Sequence, residues 1–213
     1  MSNVPPETPP RLLYVYDALC GWCYGFSPTL KAFAKTRNAT VEVLSGGMIR
    51  GARIGMLSAV APYIRTAYRD VERATGVHFG EGFLEVLREG DVYMTSEPAG
   101  ALLSWVKDVA PARQLDAAHE LQRGVYYHGH GPDSDDLARN LADELGLDAD
   151  AAVAARTDAK YLAAAEADYA LSQKLGVRGF PALFVRREDG LVMIANGYTD
   201  AETLAGRYEA AVG

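Results

Sequence analysis

Leu12-Leu13-Tyr14-Val15-Tyr16-Asp17-Ala18-Leu19-Cys20-Gly21-Trp22-Cys23-Tyr24-Gly25-Phe26 is where the chain declares its architecture. Residues 12 to 16 form a short apolar and aromatic run bounded by a polar turn residue, the pattern of a buried strand. Beyond Asp17 the pattern changes: Phe26, Leu30 and Phe33 fall at helical spacing, which predicts a helix from about Trp22 to Lys35. Cys20 and Cys23, the only cysteines among 213 residues, sit at the junction. With two residues between them, the thiols can close a disulfide within a first helical turn. Whichever thiol lies at the helix start meets backbone N–H groups that no carbonyl has claimed. Those donors and the positive end of the helix dipole favour thiolate over thiol.

Working outward, Val41-Glu42-Val43-Leu44 is a second strand. The strand–helix–strand unit so formed should be parallel and right-handed. Pro28 inside its helix removes a donor and predicts a kink. Near the other end, Ala182-Leu183-Phe184-Val185 and Leu191-Val192-Met193-Ile194 flank Asp189-Gly190, a hairpin signal that makes the two strands antiparallel. Thr199-Asp200-Ala201-Glu202 reads as a capping box that opens a last helix through Leu204 and Tyr208. The two ends thus spell strand–helix–strand and strand–strand–helix, which is the thioredoxin order.

The stretch between them reads as helical. Met56, Leu57, Val60, Ile64, Tyr68 and Val71 follow a 3.6 period, with Pro62 as a potential break. Ser96-Glu97-Pro98 starts another helix, and Ser134 caps a third that stops at Gly146. Asp158 opens a fourth that stops at Gly176, and the alanine-rich stretch 149 to 167 also favours helix. The expected organisation is an α/β thioredoxin-like domain, 11–49 with 158–213, carrying a helical insertion over 50–157. Four prolines before Arg11 mark residues 1–10 as a flexible arm.

Composition excludes several classes. A net charge of −7 disfavours general attraction to nucleic acid or an anionic membrane. The sequence holds no run of 18 apolar residues of the kind a membrane helix needs, and its first residues lack the apolar core of a secretory signal. If nothing precedes Met1, the expected location is the cytosol, where thiols stay reduced; a catalytic or redox-sensing pair then outranks a structural disulfide.

Cys20-Gly21-Trp22-Cys23, with Asp17-Ala18-Leu19 before it and Tyr24-Gly25-Phe26 after it, resembles the active-site segment of the DsbA-like thioredoxin superfamily. The likeness is greatest to the cytosolic branch of predicted protein-disulfide isomerases, near the FrnE-like oxidoreductases. Gly176-Val177-Arg178-Gly179-Phe180-Pro181-Ala182 is similar to that family's cis-proline loop, and Tyr126 to Leu147 to its late insertion helices. The resemblance implies that Cys20 is the exposed nucleophile and Cys23 the buried resolving thiol. It further implies a cis bond between Phe180 and Pro181, facing the cysteines. The Phe180 backbone would then pair with an extended substrate, and Gly21 and Trp22 would complete the binding surface. Two departures stand out: Ala182 occupies a place often held by threonine, and Gly21-Trp22 lacks the histidine of the strongly oxidising members. The expected reduction potential lies between those of thioredoxin and DsbA, roughly −270 to −120 mV, and equilibration with glutathione buffers checks it.

Plainer readings stand beside several of these. A zinc site needs four ligands; the chain has no second CxxC, and His128-Gly129-His130 is its only close histidine pair. Trp22 is either a packing residue or exposed beside the substrate. Asp17 is either a proton acceptor for the resolving thiol or the side chain of an Asx turn. His78, His119, His128 and His130 read as solvated or packed. Gly46-Gly47 reads as a tight turn that could also shape a groove. Tyr63, Tyr68, Tyr126 and Tyr127 cover the core or line a groove above Cys20.

The expected function is a thiol–disulfide oxidoreductase or protein-disulfide isomerase that needs no metal and no organic cofactor. Its partners would be protein or glutathione-type thiols and disulfides, with neither nucleic acid nor membrane involved. Two competitors remain. One is a glutathione-dependent or polyketide-tailoring small-molecule isomerase on the same scaffold; its isomerase relatives usually carry a serine where this chain keeps both cysteines. The other is a non-catalytic metal-binding or interaction module.

Overall fold

The computed structural model describes residues 9–213; the arm read over residues 1–10 lies outside this range except for Pro9 and Pro10. Strand β1 (Arg11–Tyr16), helix α1 (Gly21–Thr36) and strand β2 (Thr40–Ser45) form the first unit, with β1 and β2 parallel. Helix α1 runs unbroken through Pro28. Strands β5 (Ala182–Arg187) and β6 (Gly190–Asn196) pair antiparallel, β5 lies antiparallel to β1, and the sheet order is β2-β1-β5-β6. The hairpin forms one residue earlier than read: Arg187 pairs with Gly190, so Glu188 and Asp189 make the turn, and Gly190 supplies a φ of +138 at its exit. Helix α9 (Ala201–Val212) closes the chain. Its N-cap is Asp200, which accepts from the Thr203 N–H, while the Thr199 hydroxyl turns back to the Gly197 carbonyl. A carboxylate one residue on is as good a cap as the threonine the capping box pointed to.

The middle of the chain is helical but divides differently from its periodicity. Met56 belongs to a short strand β3 (Gly55–Met56), paired with β4 (Tyr93–Met94). Pro62 sits in the first turn of α2 (Ala61–Thr75), where its missing N–H costs nothing, so it starts the helix instead of breaking it. A further helix, α3 (Glu81–Glu89), stands between Gly80 and Gly90, outside the periodic segments named above. Helix α4 (Glu97–Val109) follows Ser96 as expected, and α5 (Gln114–Arg123) runs into a π-helical turn over Gly124–His128. Ser134 caps α6 (Asp135–Leu145), which stops at Gly146 with φ +67. The alanine-rich stretch splits into α7 (Ala149–Ala155), capped by Asp148, and α8 (Ala159–Lys174), capped by Asp158.

Alternation along β1 buries both of its faces. Leu12, Tyr14 and Tyr16 enter the large core with Phe26 and Leu30 of α1 and with Leu102, Leu103 and Leu121 of the middle helices. Leu13 and Val15 join Leu44, Ala182 and Phe184 in a smaller core on the other face. A strand apolar along its whole length is what a sheet covered on both sides requires. Because one core spans the sheet and the middle helices, the end of β1 is held from above as well as below. That is where the cysteines sit.

Candidate active site

Asp17 turns the chain out of β1. Its Oδ1 accepts from the Leu19 N–H at 3.0 Å and its carbonyl accepts from the Cys20 N–H at 3.1 Å. This is the Asx turn. Cys20 then becomes the N-cap of α1: its carbonyl accepts from Tyr24 N–H at 3.1 Å, and its Sγ accepts from Cys23 N–H at 3.3 Å. A sulfur in the place usually taken by a serine or aspartate oxygen is thereby held against the positive end of a 16-residue helix whose first turn has no acidic residue. Both thiols are free. Cys23 is wholly buried; burial first, and then the neighbouring Cys20 sulfur, push its thiol well above the ordinary value.

The polar groups beneath the thiols are tied together over long sequence distances. The Asp17 carboxylate also accepts from the Met48 N–H at 2.7 Å and the Ser96 hydroxyl at 3.0 Å, and the Ser96 Oγ accepts from the Ile49 N–H at 2.9 Å. Burial raises the Asp17 pKa against the pull of these donors. Behind it, Tyr14 is buried and lies close enough to Cys23 for the sulfur to add to burial in raising the phenol pKa, although its hydroxyl closes no well-formed bond. Gln122 is buried too, its Nε2 donating to the Asp17 carbonyl at 3.4 Å. Further out, Lys107 Nζ reaches Asp168 at 2.9 Å and the Val43 carbonyl at 3.0 Å, while Asp168 accepts from the Ser45 N–H at 3.2 Å.

Across from Cys20, the Phe180–Pro181 bond is cis. The Cys20 thiol donates to the Phe180 carbonyl at 3.6 Å, so the two distant segments meet at the sulfur. Gly46 makes room for this loop: a Cβ there would lie 2.1 Å from the Phe180 ring. Gly47, with φ +67, has Tyr169 and Arg50 against it. The two glycines therefore form a turn that also seats the proline loop. Beside it opens a polar cleft of about 420 Å³ whose lining includes Arg50, Arg53 and Arg178. Arg50 already pairs with Glu166 and stacks on Tyr169.

On the other side of Cys20 is a cavity of about 320 Å³ built by the middle helices. Ile64, Ala67, Tyr68 and Val71 of α2 and Phe83 and Val86 of α3 are part of its wall, along with Phe79, Val92, Met94 and Val125. Cys20, Gly21 and Trp22 form its inner edge. No aspartate, glutamate, lysine or arginine lines it. Here an expectation is corrected: Cys20 is 6% exposed, not an open surface thiol. The preceding turn, the Phe180 carbonyl and the helical layer enclose it, so it is reached along the cavity. Trp22 is 37% exposed at the edge and packs on Tyr198. Of the four tyrosines, Tyr63, Tyr68 and Tyr126 line the cavity, whereas Tyr127 does not.

Met48, Ile49, Ser96, Gln122 and the α3 side chains were not foreseen. Only the last had a sequence signal, the Gly80 and Gly90 brackets around Phe83 and Leu87; the others are defined by contacts spanning 31 to 105 residues. His119 is packed, its Nδ1 2.8 Å from the Ser27 hydroxyl, and burial lowers its pKa to about 4. His128 and His130 stack on one another at 5.6 Å, with His130 at the cavity's end.

A thioredoxin-type sheet with this helical layer and a CxxC helix start defines a class, and comparison with known families agrees: the chain belongs to the DsbA-like thioredoxin domain family, whose model matches residues 11–209. Among solved structures it is similar to a Nitrosomonas europaea protein described as a "putative protein disulfide isomerase", at 24% identity and TM-score 0.81, covering 95% of this chain and 97% of that one. It is also similar to the cytosolic disulfide reductase DsbM of Pseudomonas aeruginosa, at 26% identity and TM-score 0.78, covering 94% and 97%. A 2-hydroxychromene-2-carboxylate isomerase shares the fold at 14% identity and TM-score 0.65, covering 94% of both chains. No curated protein matches the chain at a significant level.

Proposed function

We propose that the protein is a cytosolic thiol–disulfide oxidoreductase in which Cys20 and Cys23 exchange with a substrate disulfide. The observation that carries this is the setting of Cys20 Sγ: capping α1, 3.3 Å from the Cys23 N–H and 3.6 Å from the Phe180 carbonyl. The Cys20 thiolate attacks one sulfur of the substrate; the substrate S–S bond breaks, and the departing thiolate takes up a proton from solvent. The mixed disulfide at Cys20 is then attacked by Cys23 after it loses its proton. A Cys20–Cys23 disulfide forms, the second substrate thiol leaves, and the substrate has gained two electrons and two protons. A low-molecular-weight or protein thiol of the glutathione kind returns the pair to the dithiol form. Run backwards, the same steps oxidise a substrate dithiol.

Of the two roles read for Asp17, the turn is better supported than that of proton acceptor for Cys23. The Asp17 oxygens already take three donors. The polar cleft with three arginines beside Phe180 favours an anionic thiol partner. The cytosolic location rests on the likeness to DsbM and on the thiol chemistry itself.

Turnover of glutathione disulfide and of a protein disulfide, followed with Cys20→Ser and Cys23→Ser, tests the reading. Cys20→Ser is expected to abolish turnover, and Cys23→Ser to stop after one event with substrate covalently held on Cys20. Undiminished activity in a Cys20→Ser, Cys23→Ser double variant would overturn it and favour the isomerase class.

A further inference from the structure

We infer that the cavity beside Cys20 is a specificity pocket for a low-molecular-weight disulfide, one half of which is a compact apolar group about the size of a two-ring aromatic. The inference rests on the exchange chemistry proposed above and names its substrate class.

Size is the first support. The cavity encloses about 320 Å³. A cavity of ~150 Å³ in a protein core takes one benzene ring, so this one suits roughly twice that bulk. Chemistry is the second. Apart from His130, the wall is made of aliphatic and aromatic side chains, and it holds no aspartate, glutamate, lysine or arginine. An ion placed against Ile64, Ala67 and Phe83 would lose its hydration to side chains that offer it no partner. Where α2 and α3 present the wall, their backbone donors and acceptors are engaged within the helices. An extended peptide laid along it would leave its own N–H and C=O groups unmatched. A compact apolar group has no such requirement, and moving it out of water is favourable by itself.

Position is the third support. Cys20 is 6% exposed, and Leu19, Gly21 and Trp22 flank it at the cavity's inner edge. A sulfur reaching Cys20 therefore approaches beside the apolar wall. A disulfide with an apolar half can bury that half among Ile64, Ala67 and Phe83 while its other half faces the polar cleft near Phe180. Attack by Cys20 on the sulfur of the apolar half leaves that group linked to Cys20 as a mixed disulfide, and the polar thiol departs. Cys23 then displaces the apolar thiol. No oxidant or reductant is needed beyond the dithiol pair and the thiol that regenerates it.

The test compares two glutathione mixed disulfides, one with 2-naphthylmethanethiol and one with 2-mercaptoethanol, each rate divided by the uncatalysed rate with dithiothreitol. The wild-type kcat/KM is expected to favour the naphthylmethyl disulfide at least about tenfold, since even one methylene in an apolar pocket is worth that much. Ala67→Phe, which fills the cavity from α2, should erase most of that preference through KM. As a measurement independent of any variant's folding, 2-naphthylmethanol should slow Cys20 alkylation by iodoacetamide in the wild-type protein, and 2-mercaptoethanol's alcohol analogue, ethylene glycol, should not at equal concentration. Equal normalised kcat/KM for the two disulfides, with exchange active, would overturn the pocket assignment and leave the exchange reading intact. No turnover of either disulfide while Cys20 remains alkylatable would overturn the exchange reading, whereas slowed alkylation by the naphthyl alcohol would still support the pocket.

Discussion

The two sides of the Cys20 sulfur are built on opposite terms. Beneath it, Asp17, Ser96, the Met48 and Ile49 N–H groups and, further out, Lys107 with Asp168 form a polar floor in which nearly every atom has a named partner. Facing it, the wall of α2 and α3 has bulk and no charge. A floor of this kind fixes position, because each buried polar group is costly when its partner is taken away. A wall of this kind offers area, and apolar area tolerates change of shape better than a hydrogen-bond network does. The difference separates two sorts of residue: those that decide whether the thiols are held, and those that decide what reaches them.

The comparison breaks most sharply at Lys107. Lys107→Met removes the cation from a buried aspartate and leaves Asp168 with the Ser45 N–H alone, which should cost about 3 kcal/mol. For a chain of this length that is a fall in melting midpoint of about 6–12 °C. Thermal unfolding followed by circular dichroism checks it; an unchanged midpoint would mean that the floor does not end where the ion pair is.

Ser96→Ala comes next. The Ile49 N–H loses its acceptor and the Asp17 carboxylate loses one donor, an expected loss of about 2 kcal/mol. Because Ile49 also lines the cavity, this variant should show altered turnover of bulky substrates along with the drop in denaturant midpoint. A drop in stability alone would separate floor from wall more cleanly than the structure does.

His119 sharpens the contrast through pH. Burial lowers its pKa to about 4 from an ordinary 6.5. As pH falls below 6.5 the unfolded chain takes up this proton first, while the folded chain resists until near 4. The stability linked to His119 is therefore complete above about 6.5 and is lost on the way down to 4. With allowance for its remaining contact with water, the loss is about 2 kcal/mol. His119→Asn keeps a polar partner for Ser27 and should remove that slope, read as the difference between variant and wild-type stability at pH 7 and pH 4.5. Parallel curves would show that the histidine is already solvated.

Local signals carried the outline. The run from Leu12 to Tyr16, the cysteine spacing, the Val41 and Ala182 strands and the Ser134 and Asp158 caps each depend on neighbours within a few residues, and all formed as read. The corrections lie where two local rules compete: Pro62 fits a first turn as well as a break, and Asp200 caps as well as Thr199. The burial of Cys20 was not legible, because it arises from Phe180, 160 residues away, and from helices whose boundaries the alanine- and leucine-rich middle did not define. The composition of the wall was in the sequence as scattered apolar residues; only folding places Ile64, Phe83 and Met94 around one space.

Tyr63 should give the smallest change in stability and the clearest separation. It lies on the cavity's rim with 73% of its surface exposed. Removal of an exposed ring without a hydrogen bond to replace is expected to shift stability by less than about 0.5 kcal/mol. The same ring extends the apolar wall outward, so Tyr63→Ser should raise KM for the naphthylmethyl disulfide several-fold while leaving the mercaptoethanol disulfide unaffected. Equal effects on both substrates would place Tyr63 with the residues that hold the thiols, and the line between floor and wall would have to move outward past α2.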